Sequence, residues 1–74
     1  MLVFDGGHYD VAGKPPVIYL GRGAESEAVV TWERDDLYTI TVLGGGRRIS
    51  VEEPCASPGD AMRRAEQLEH ALLQ

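Results

Sequence analysis

A single cysteine, a single lysine, one tryptophan and one phenylalanine stand in a chain of 74 residues, and these scarcities remove whole classes of protein. One thiol, Cys55, cannot close an intramolecular disulfide and cannot alone supply the three or four ligands of a zinc site. No apolar run approaches the roughly 18 residues of a membrane-spanning helix, and the N-terminal residues lack the basic and apolar regions of a secretory signal. The expectation is a soluble protein of a reducing cytoplasm with no membrane contact. Basic residues are also few: seven Lys and Arg face twelve Asp and Glu, for a net charge of −5. Lys and Arg supply most non-specific affinity for phosphate backbones. The balance therefore disfavours direct nucleic-acid binding and favours a partner with a basic surface.

What is present fits one small folded unit spanning 1–74. The 43% apolar content exceeds that of a disordered chain, and the length leaves room for one core. The bias to Arg over Lys is that of a GC-rich bacterial or phage gene, and the chain reads as a complete small gene product.

The C-terminal segment predicts a helix over 58–73. Ser57 can cap it, Pro58 suits its first position, and Asp60 completes an S-x-x-D capping pattern at the positive end of the dipole. Ala61, Ala65, Leu68 and Leu72 form an apolar stripe flanked by Met62 and Leu73, opposite Arg63, Arg64, Glu66, Gln67 and His70. Residues 28–53 alternate as a three-stranded antiparallel meander. A turn over Arg34, Asp35 and Asp36 places Val30 opposite Ile40. A Gly45-Gly46 turn places Ile40 opposite Val51 and Val42 opposite Ile49, and glycine accepts the positive φ that a type I′ turn demands. Residues 1–27 hold short β-like runs at Leu2 to Phe4, around Tyr9 and Val11, and at Val17 to Leu20. They predict two more strands, with Val17 to Leu20 covered by the helix on one side and the N-terminal segment on the other. The fold class is α+β: an antiparallel sheet of four or five strands with one C-terminal helix packed on one face.

No catalytic, cofactor or metal signature emerges. Asp5, His8 and Asp10 form the best metal candidate, yet the only other soft ligands, Cys55 and His70, are isolated in sequence, and Asp and Gly there serve a turn. Gly21-Arg22-Gly23 does not extend to a phosphate loop, and Glu25 and Glu27 follow it. Cys55 lacks an adjacent base, and no Ser sits in a nucleophile elbow. The chain is read as a non-enzyme.

The derived register lines the second sheet face with hydroxyls. Val29, Thr41 and Ser50 form one row; Thr31, Thr39 and Glu52 form the next. Acidic groups collect at its ends, and Glu33, Asp35, Asp36, Thr39, Thr41, Glu52 and Glu53 become the candidate partner-binding residues. The expected function is a non-enzymatic binding protein that occludes or recruits a macromolecular partner through a basic or nucleic-acid-binding surface. Its most concrete form is a phage or mobile-element inhibitor of a host nucleic-acid-targeting complex, of the anti-CRISPR type. Pairing with a second copy is left open.

The stretch from Asp36 to Leu72, two strands and then S-x-x-D-A-x-x-x-A-x-x-x-x-x-x-L, resembles the strand-strand-helix portion of HicB-type antitoxins. It covers about half the chain and lacks the proline-glycine segment expected before the helix in that family. The resemblance implies the alternative function, a regulatory domain binding nucleic acid through Arg47, Arg48, Arg63 and Arg64.

Overall fold

A computed structural model describes residues 1–5, 8–9 and 16–74. Six strands and one helix follow in order: β1 (Val3–Phe4), β2 (His8–Tyr9), β3 (Pro16–Arg22), β4 (Ser26–Arg34), β5 (Leu37–Gly44), β6 (Arg47–Pro54) and α1 (Pro58–Leu72). All pairings are antiparallel, in the order β1-β3-β4-β5-β6, and β2 joins β3 beside β1. Because β1 and β2 share one position along the outer edge of β3, the sheet is five strands wide. This is the expected α+β arrangement.

The meander has the expected register. Val30 pairs with Ile40, Ile40 with Val51, and Val42 with Ile49. Gly45 and Gly46 both have positive φ, 58° and 75°, as a tight two-residue turn requires. The first turn differs from expectation. Arg34 belongs to β4 and pairs with Leu37, so only Asp35 and Asp36 form the turn, and an irregularity between Trp32 and Arg34 absorbs the extra residue. Asp35 takes a φ of 48°, a conformation that Asp tolerates better than most residues. The bulge preserves the pairing of Val30 with Ile40 despite the shorter turn.

Helix α1 begins as the capping residues dictate: the Ser57 side chain accepts from the Asp60 N–H at 3.2 Å, and Pro58 opens the first turn. Its stripe, Ala61, Ala65, Leu68 and Leu72, is buried against Ala28, Val30, Tyr38, Ile40 and Val42, and Leu2 closes the cluster. The two alanines face the sheet where α1 crosses it, which fits close approach of helix to strand. Val51 and Ile49 are only half-buried, since β6 is an edge strand.

The N-terminal segment corrects one expectation. Among the described residues, β1 and β2 extend the sheet edge-on from β3 rather than covering a face of the Val17 to Leu20 strand, and Leu20 is left 42% exposed. Gly21 is what lets β1 sit there. It pairs with Phe4, and a Cβ on it would come within 2.6 Å of the Phe4 ring. The aromatic ring thus covers a position with no side chain of its own.

Candidate partner-binding face

Helix α1 covers one side of the sheet, and among the described residues no element covers the other. Strand alternation with the observed register sorts the side chains. One row across the open face runs Leu20, Val29, Thr41, Ser50, and the next runs Ile18, Thr31, Thr39, Glu52. The row at one end runs Val3, Arg22, Glu27, Leu43, Arg48. Val3, Leu20 and Leu43 keep 67%, 42% and 40% of their surface exposed, so the face mixes apolar and hydroxyl character.

The hydroxyls bond along the face. Thr39 donates to Glu33 at 2.8 Å, and the Thr41 and Ser50 hydroxyls share a bond at 2.9 Å. Beside Glu33 lies the β4–β5 turn, held from two sides. The Trp32 indole N–H donates to the Asp35 carbonyl at 2.9 Å, and the Cys55 N–H donates to the Asp36 carbonyl at 2.8 Å. Exposed Glu33, Asp35, Asp36 and Glu52 therefore stand at one end of the face, two of them on a turn whose backbone is fixed. Four carboxylates share this end with one exposed guanidinium, Arg34, which leaves a local excess of negative charge. The opposite end alternates Arg22, Glu27 and Arg48 and carries no such excess.

Six of the seven candidate residues, Glu33, Asp35, Asp36, Thr39, Thr41 and Glu52, are thus brought to this face or its end. Glu53 is not. Strand alternation turns it to the helix side, where the Arg64 Nε donates to it at 2.7 Å. It lies apart from the other six, paired with Arg64.

The basic pairs are dispersed. Arg63 bonds Asp60, Arg64 bonds Glu53 and Gln67, and Arg47 reaches the Leu72 carbonyl at 3.5 Å near the other end of α1. Of these four, Arg48 alone lies on the open face, in the same row as Arg22. A hollow of about 370 Å³ beside Cys55 is lined by Glu53, Asp60, Arg63 and Arg64, whose charges are already paired with one another. Burial, and then Glu53, push the Cys55 thiol above its ordinary pKa despite the opposing pull of Arg64, and this net rise keeps it protonated and weakly nucleophilic at neutral pH. Among the described residues no group of three or more His, Cys, Asp or Glu converges; Asp10 of the metal candidate lies outside those residues, and Asp5 serves the sheet by donating its N–H to Leu20 at 3.0 Å. Among the described residues no helix is long and apolar enough to cross a membrane.

One polar cluster escaped the sequence reading. Glu69 is buried, with its carboxylate bonded to the Ser26 hydroxyl and 3.2 Å from the Met1 α-amino group. Its signal was the four-residue spacing Ala61, Ala65, Glu69, which sets it beside the apolar stripe. No family model, curated protein or solved structure matches this chain.

Proposed function

We propose that this protein is a non-enzymatic binding module whose open sheet face docks, acidic end first, on a basic patch of a protein partner. The single observation that carries the reading is the grouping of Glu33, Asp35, Asp36 and Glu52 at one end of a face that the helix leaves uncovered. Beside them, a surface of threonines with Val29 and Leu20, and with Leu43 in the far row, offers area to bury once charge has oriented the encounter. Rim carboxylates steer and fix register, and the less polar middle supplies the holding energy.

Carboxylates held in this way can take the places of phosphates on Arg and Lys side chains. The most concrete member of the class is an inhibitor that competes with nucleic acid for such a surface, of the anti-CRISPR type. The alternative reading, nucleic-acid binding through the four arginines, has no favouring observation, since Arg47, Arg63 and Arg64 are engaged within the chain.

The test compares partner retention from a bacterial lysate by the wild-type chain and by Glu33→Lys/Asp36→Lys, which leaves β6 unchanged. The expected result is a basic protein retained by the wild type, displaced by added nucleic acid and lost from the folded variant. Equal retention by both, or retention of acidic proteins only, contradicts the proposal.

A further inference from the structure

Strand β6 is bonded on one side only. It pairs with β5, and among the described residues its other edge is unpaired. Which backbone groups face outward follows from the hairpin. Gly44 and Arg47 close the two-residue turn as a hydrogen-bonded pair, so every second residue from Arg47 directs its N–H and C=O toward β5. The Cys55 N–H, bonded at 2.8 Å to Asp36, continues that phase. Arg48, Ser50 and Glu52 therefore present their main-chain groups outward, and their side chains lie on the open face, all three exposed.

The sequence of this edge, Arg47-Arg48-Ile49-Ser50-Val51-Glu52-Glu53, is complementary to its own reverse. We propose that a second copy of the chain docks here, β6 against β6, antiparallel about a two-fold axis at Ser50. In that register Ser50 faces the partner subunit's Ser50, Arg48 faces the partner subunit's Glu52, and Ile49 faces the partner subunit's Val51. Every outward N–H and C=O in the paired stretch meets its complement, giving about six main-chain hydrogen bonds. A shift of two residues either way keeps the phase but sets Arg48 opposite Ser50 or Pro54, and both charge pairs are lost.

Three observations single out this register. Arg48 and Glu52 have no ion-pair partner among the described residues, whereas Arg47 and Glu53, on the other face, are held by Leu72 and Arg64. Ile49 and Val51 are only half-buried in one copy and become mutually covered in two. Pro54, the next residue in the outward phase, has no N–H to offer, and the Gly45-Gly46 turn ends the strand on the other side. The ladder closes as a dimer rather than extending as a fibre.

The inference shares Glu52 with the proposed function and is tested apart from it. It leaves the open faces accessible and sets two of them side by side in one continuous sheet. Arg48→Glu disturbs the edge while leaving the acidic turn intact, so failure of one idea does not entail failure of the other.

The test is sedimentation velocity of the full chain over a concentration series, with thermal melts confirming that each variant is folded. The wild type is expected to show a reversible monomer–dimer equilibrium. Arg48→Glu and Glu52→Arg are each expected to weaken it about tenfold or more, because each puts like charges opposite one another twice across the dyad. The exchanged double variant Arg48→Glu/Glu52→Arg restores the pairs and is expected to regain wild-type association, a result that does not depend on either single variant. A wild type that stays monomeric, or a double variant that stays as weak as the singles, overturns the proposal.

Discussion

Ser26 and Glu69 are separated by 43 positions yet meet inside the fold. A buried carboxylate is tolerated only when bonded, and here it has the Ser26 hydroxyl and the Met1 amino group within reach. Ser26→Ala removes one of the two, and the expected loss is about 1–3 kcal/mol, read as a lower urea midpoint with an unchanged m-value. Such a loss is a large share of the ~4–11 kcal/mol that a chain of this size holds. The helical spacing betrayed the burial of Glu69, but nothing local to Ser26 pointed to its partner. Only the assembled sheet brings β4 under the last turns of α1. Tyr38 and Cys55 add a pH dependence. Burial raises both pKa values, in Tyr38 with added repulsion from Tyr19 and then Cys55. The unfolded chain therefore releases these protons first, from about 8.5 for the thiol and about 10 for the phenol. Native stability is full below those values and declines as pH rises through them toward the raised folded ones. Tyr38→Phe is expected to keep the fold at neutral pH and to flatten the fall of Tm above about pH 10 in melts across an alkaline series. An unchanged alkaline slope would remove Tyr38 from that role.

At the scale of elements, the meander and helix were legible because their signals are local. Alternation of period two fixed the rows, two glycines fixed one turn, and Ser57, Pro58 and Asp60 fixed the start of α1. The β4–β5 turn was misjudged by one residue. Arg34-Asp35-Asp36 reads equally well as a three-residue loop or as a two-residue turn with a bulge, and the choice is set by the Trp32 and Cys55 bonds that anchor it. The strands β1 and β2 were barely legible, since each has two residues and is defined by its pairing with β3 rather than by its own pattern. The helix–sheet contact carries the fold. Leu68→Ala is expected to cost ~2–5 kcal/mol in denaturant unfolding, enough to leave much of the population unfolded at the lower end of the stability range. A midpoint within error of wild type would contradict the placement of Leu68 at the center of that contact.

For the whole molecule, the division of labour between the two sheet faces is the main consequence of its size. One 15-residue helix can cover one side of a five-strand sheet, and no second layer is described for the other. The chain leaves that side a mixture of threonine, serine and scattered aliphatic side chains, and sets its carboxylates at one end. The candidate residues were legible in advance to the extent that the register was, since Glu33, Thr39, Thr41 and Glu52 follow from strand alternation. The same alternation puts Glu53 on the helix side, and only its bond to Arg64, which joins β6 to α1, was hidden from the sequence. The central claim, that this acidic end meets a basic protein surface, is tested most directly by zero-length carbodiimide coupling of the protein to its captured partner, which joins carboxylates to lysine amines in contact. The account predicts linkages from Glu33, Asp35, Asp36 or Glu52. Linkages confined to Glu25, Glu27 and Glu66, or spread evenly over all surface carboxylates, would contradict it.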